Sequence, residues 1–203
     1  LTSIFLVIIG ISSIVKAQFT VYNTSNSNIP NNSITGGIAL DKNNNIWIGT
    51  QGSGVVKFDG TNWTQYNMSN SGLPSDVISC LASDTINNCI WVGTVGDGVA
   101  KFDGNVWTTY TYSDGLCDNG IYSIAIDKNG DVWFASWGAG VSKFNGSIWT
   151  TYISELPNDE GVVASVYYIL VDNSNVKWFG TSLGLVKYDG TNFTTINQTT
   201  IPE

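Results

Sequence analysis

The 203-residue chain has no histidine and no arginine, and its only basic residues are eight lysines. The lack of His removes the commonest general base and the commonest zinc ligand. It also rules out any Ser-His-Asp or Cys-His nucleophile. The lack of Arg removes the forked cation that grips phosphates, and the net charge is −8. Nucleic acid and anionic membranes are therefore excluded as partners. Charged residues make up only 12% of the chain. Asn, Thr, Ser and Gly fill the polar positions instead, which suits an all-β protein with short turns. There are three cysteines, Cys80, Cys89 and Cys117. An odd number cannot all pair internally, and all three are expected to be free and buried.

What is present begins with an apolar run from Ile4 to Val15. It is too short to span a bilayer, which takes about 20 residues. Val15 and Ala17 stand where an export signal would be cut, so residues 1–17 read as a signal peptide. The mature chain would then be periplasmic or extracellular.

The strongest signal is an internal repeat. Trp47, Trp91, Trp133 and Trp178 are spaced 44, 42 and 45 apart, and Trp63, Trp107, Trp149 and Phe193 follow at 44, 42 and 44. A period of about 40–45 residues fits four-stranded propeller blades. The apolar runs are short, rich in Val, Ile, Trp and Tyr, and broken by Gly and Asn, which excludes helical repeats. Each unit divides into strands A to D. A and B meet at Asp-led turns (Asp41, Asp84, Asp127, Asp172). C and D meet at Asp59-Gly60, Asp103-Gly104, Asn145-Gly146 and Asp189-Gly190. The expected blades cover residues 34–67, 77–111, 121–153 and 162–197.

Leu73-Pro74, Asp84, Trp91-Val92-Gly93-Thr94, Gly96, Gly98 and Phe102-Asp103-Gly104 make up one copy of a motif repeated along the mature chain. This motif resembles the two-component regulator propeller repeat. Ala135-Ser136 and Cys117 depart from it. The resemblance implies an all-β β-propeller, and its members commonly have about seven blades. Phe19–Asn23 looks like a strand D with no blade to finish, and residues 198–203 look like the start of another repeat. The expectation is therefore a partial, open propeller of four four-stranded antiparallel blades, whose missing C-terminal blades would be a partner. A closed four-bladed ring is the alternative.

No residue set points to a cofactor, a metal or a catalytic group. Asp127–Asp131 faintly resembles a Ca²⁺ loop but lacks the later bidentate Glu, so the turn aspartates are expected to bind backbone amides. Seven of the eight Trp fall at repeat positions, where they should pack between blades. The eighth, Trp137, sits in a B–C loop where other copies have Gln51, Val95 and Ser182. The D–A loops vary in length, which marks the face they share with the B–C loops as the binding face. The candidate ligand patch there is Trp137, Asp97, Tyr122, Asp159, Glu160, Tyr167 and Tyr168. The resemblance implies a non-enzymatic periplasmic input domain of a hybrid two-component regulator, responding to polysaccharide fragments and working through a homodimer. The rival readings are a secreted adhesion scaffold and a propeller-type glycan lyase or hydrolase.

Overall fold

The computed structural model describes residues 20–159 and 161–196. The expected signal peptide, Phe19, Glu160 and residues 197–203 lie outside the described residues. Blade 1 contains β1 (Ile34–Leu40), β2 (Ile46–Thr50), β3 (Val55–Phe58) and β4 (Trp63–Tyr66). Blade 2 contains β5 (Ile78–Asp84), β6 (Cys89–Thr94), β7 (Val99–Phe102) and β8 (Trp107–Tyr110). Blade 3 contains β9 (Ile121–Ile126), β10 (Val132–Ser136), β11 (Val141–Phe144) and β12 (Trp149–Tyr152). A small hairpin, β13 (Asn158–Asp159) with β14 (Val162–Val163), precedes blade 4. That blade contains β15 (Val166–Val171), β16 (Lys177–Thr181), β17 (Gly184–Tyr188) and β18 (Phe193–Ile196).

Each blade is an antiparallel sheet in sequence order. β1 lies against β5, β5 against β9, and β9 against β15, so the first strands gather at the inner edge. The four sheets form an open arc.

Two boundaries differ from the sequence reading. Blade 4 starts at Val166 rather than residue 162, because Val162 and Val163 pair with the inserted Asn158 and Asp159. Thr20–Asn23 is not a strand. It finds no neighbouring strand among the described residues. Tyr22 nevertheless packs on Phe58 and Trp63, at 5.7 and 5.5 Å. Tyr66 packs on Phe102 and Trp107 in the same way.

The seams between blades are aromatic. Trp47 meets Phe102 of the next blade, Trp91 meets Phe134 and Phe144, and Trp133 meets Phe179 and Tyr188, all with centroids 5.3–6.0 Å apart. Burying one such indole removes roughly 150–250 Å² from water, a gross gain of about 4–6 kcal/mol. The three are almost fully buried, whereas Trp178 is half-buried. Beside each aromatic layer the seam is tight. A Cβ on Gly49 would stand 2.8 Å from Ile78 Cγ2, and one on Gly93 would stand 3.1 Å from Ile121 Cγ2. Where blade 3 has Ala135 in place of glycine, the facing residue is the smaller Val166, and both are buried in one cluster.

The turns explain the recurring aspartates. Asp41 and Asp127 each accept two backbone amides on Oδ1 and the indole N–H of Trp47 or Trp133 on Oδ2. Asp172 does the same with Trp178. Blade 2 has one extra residue in this turn. Asp84 there takes Asn87 and the Cys89 thiol, and the buried Trp91 Nε1 has no partner. A fourth donor to Asp127 comes from blade 4, where Lys177 Nζ sits 2.7 Å from Oδ2 and 5.2 Å from the Trp133 ring centre. Burial alone would raise the Asp127 carboxyl, but the hydrogen bonds from Lys177 and Trp133 outweigh it and hold the group below its ordinary value. The Ca²⁺-loop resemblance is thus resolved into a turn and an ion pair.

The cysteines are free, with Cys80 opposite Gly93 and Cys89 opposite Asp84. Cys89 and Cys117 are buried. Cys80 is only half-buried, because it lies on an inner strand beside the arc's opening. Cys117 stands where the other repeats have proline, so it brings a backbone N–H that they lack. Ser142, in place of Val56 or Ala100, accepts that N–H at 2.8 Å. The Ser136 and Ser142 hydroxyls both lie 3.1 Å from the Cys117 thiol. The third repeat's departures therefore compensate one another.

Candidate functional site

The inner strands carry a recurring irregularity that builds the site. In blade 2, Ile78 pairs with Thr94 and Cys80 with Gly93, which leaves Ser79 unpaired. In blade 3 the unpaired residue is Tyr122, between Ile121 and Ser123. In blade 4 it is Tyr167, between Val166 and Tyr168. A residue freed from the ladder in this way is re-aimed by the bulge. Blade 1 has a longer shift, between Ile34 and Ile38.

These residues border a cavity of about 510 Å³ at the inner edge of the arc. Thr35–Ile38, Ser79–Leu81, Tyr122, Ser123, Tyr167 and Tyr168 line it, so all four blades contribute. Trp137 leaves β10 at the same end, with its backbone N–H bonded to Gly120 O at 3.1 Å. Gln51 and Ser182 make the matching bond in their own blades. The loop geometry is thus that of the repeat, and only the side chain differs. Trp137 is 58% exposed and its ring lies 5.7 Å from Tyr122, which lies 5.5 Å from Tyr167. Under the indole is a small cleft of about 40 Å³ bordered by Ser79, Val95, Gly120 and Ile121.

Of the residues expected from sequence, Tyr122, Trp137 and Tyr167 come together in ring contact. Tyr168, 75% exposed, lines the wider cavity. Asp97 shares a loop with Val95 at the cleft's edge. Asp159 lies on the separate β13–β14 hairpin and lines neither space. Glu160 lies outside the described residues. Sequence reasoning missed Ser79 and the glycine-rich Thr35–Ile38 segment, because small residues on a first strand carry no aromatic signal, and it passed over Val95 as an ordinary loop residue. The signal lay at the second residue of each first strand, where Thr35 and Ser79 stand in the place of Tyr122 and Tyr167. Among the described residues, no group of three or more His, Cys, Asp or Glu could hold a metal ion. No described helix is long and apolar enough to cross a membrane.

The model of the two-component regulator propeller family matches residues 28–52 and 115–138. No curated protein matches the chain. Among solved structures, the chain is similar to the extracellular domain of BT3049, described as a hybrid two-component system of B. thetaiotaomicron. The TM-score is 0.70 at 20% identity, over 89% of this chain and 24% of that one. The corresponding domain of BT4673, from the same organism, gives a TM-score of 0.62 at 19% identity, over 78% and 21%. The chain thus spans about a quarter of the length of these domains. It is also similar to a virginiamycin B lyase from Staphylococcus aureus, with a TM-score of 0.65 at 19% identity, over 83% and 58%. At these identities the likeness concerns the fold.

Proposed function

We propose that this chain, which carries the two-component regulator propeller repeat, is an exported sensing module that binds polysaccharide fragments at the inner, loop-side mouth of its arc. The observation that carries this reading is the convergence of Trp137, Tyr122 and Tyr167 beside an open cavity. Exposed rings of this kind offer flat apolar faces to the C–H surfaces of sugars, while cavity polar groups such as Ser79 and Ser123 set orientation. Export is supported by the apolar run at residues 4–15 and by the extracellular origin of the similar domains. Signalling would follow from a ligand binding one arrangement of a dimer more tightly than another. The lyase reading has less support, since it rests on a likeness of fold alone.

A glycan array followed by calorimetry tests the reading. Trp137→Ala should weaken the best ligand about tenfold, equivalent to ~1.4 kcal/mol. Its unfolding free energy should stay within about 0.5 kcal/mol of the parent, since the ring is largely exposed. Unchanged affinity for every glycan that binds would overturn the assignment of the site.

A further inference from the structure

Charge is segregated between the two faces of the arc. Lys42 and Lys128 lie in A–B turns, and Lys177 starts β16 beside one. Lys57, Lys101, Lys143 and Lys187 lie near the C–D turns. Every described lysine is therefore on the turn face. The opposite, loop face carries Asp76, Asp97, Asp114, Asp118, Glu155 and Asp159 and no described cation. Both ion pairs among the described residues, Lys143–Asp131 and Lys177–Asp127, belong to the turn face. A strand of five residues separates the faces by about 16 Å, while charges are screened over about 8 Å at physiological salt. The lysines therefore do little to neutralise the loop face.

This negative field coincides with the aromatic patch. A Cβ on Gly120 would stand 3.4 Å from Asp118 Oδ1 and 3.6 Å from Trp137 Cβ, so a carboxylate lies within about 7 Å of the base of the exposed indole. Asp97, exposed, lies two residues along the loop from Val95, which borders the same cleft. Asp118 Oδ1 accepts the Gly120 N–H at 2.7 Å and forms no ion pair with a described residue. An aromatic face beside a carboxylate with no cation partner attracts an ammonium group twice over, through the ring quadrupole and through the charge. It repels a polyanion.

We infer that the loop-side mouth selects cationic ligands, and that among glycan fragments it takes oligomers of free-amine hexosamines rather than uronate or sulfated ones. This builds on the glycan reading above. The test compares the full chain's binding of a glucosamine hexamer, its N-acetylated neutral counterpart, a galacturonate hexamer and spermine. At about pH 5.5 the ligand amines are protonated and galacturonate is anionic. The glucosamine hexamer should bind about tenfold tighter than the acetylated one, and the galacturonate hexamer should not bind. The preference should shrink when salt rises from about 0.05 to about 0.3 M. It should also shrink in the double variant Asp97→Asn, Asp118→Asn, where the new carboxamide oxygen beside Gly120 can still accept that residue's N–H. Equal binding of the two hexosamine oligomers, or tighter binding of galacturonate, would overturn the charge inference and leave the glycan reading standing. Trp137-dependent binding of spermine with no hexamer bound would overturn the glycan reading and support the charge inference. Binding of none of the four would overturn both.

Discussion

Replacing Lys177 with isoleucine, the residue that Ile46 and Ile90 place at this position, should destabilise the chain by about 1–3 kcal/mol. Removing one partner of a buried ion pair costs about 3–5 kcal/mol when the other charge is left bare. Asp127 is not left bare, because two turn amides and the Trp133 indole still bind it. The isoleucine also recovers about 1–2 kcal/mol by packing on Trp133. Asp127→Asn should cost more, about 3–5 kcal/mol, because the ammonium of a side chain only 4% exposed keeps just Asn175 O and an aromatic face. The double variant should resemble Lys177→Ile alone, giving a coupling energy of about 3–5 kcal/mol. Urea unfolding measures all three. The sign of the pH effect follows from Asp127. Its folded carboxyl lies below its ordinary value, so it stabilises the fold above the unfolded value and loses that contribution as pH falls through the folded one. The gap between parent and Lys177→Ile should be constant above about pH 5 and narrow below about pH 4. Parity of the two at neutral pH, or a gap that ignores acid, would refute this account of the seam.

Two further substitutions probe packing. Gly93→Ala should cost about 1–3 kcal/mol, since the new methyl would stand 2.5 Å from Cys80 Sγ and 3.1 Å from Ile121. Adding Cys80→Ser and Ile121→Val, the set that Ser123, Ala135 and Val166 already form, should recover most of it in thermal unfolding. Cys117→Pro alone strands the Ser142 hydroxyl and Ser142→Val alone strands the Cys117 N–H, each for about 1–3 kcal/mol. The double variant, which restores the residues of the other repeats, should unfold within a few degrees of the parent; additive losses would disprove the compensation.

The repeat was legible in the sequence because its signals are local. Asp-Gly and Asn-Gly mark the C–D turns, where Gly60, Gly104, Gly146 and Gly190 adopt φ of 95–102°. The tryptophans could be placed between blades because indoles at a fixed period must bury against a neighbour. The bulges that aim Tyr122 and Tyr167 were not legible. A slip of one residue exchanges the faces of a strand, and nothing in short runs such as Ile121–Ile126 fixes the register. The Lys177–Asp127 pair was hidden for another reason. Lys177 reads as a lysine at the edge of a strand, and only stacking two blades brings it over Trp133. The β13–β14 hairpin was concealed by its brevity, as two residues per strand leave no alternation to detect.

The small side chains along the seams bear on how such a chain can change. Gly49 and Gly93 leave room for the isoleucines that follow them, whereas Ala135 leaves room only for valine. A copy of blade 3 inserted directly after itself would press Ile121 against Ala135. The sequence thus encodes a neighbour order, and a duplication at that point would need a second change, in either residue, before its product could fold tightly.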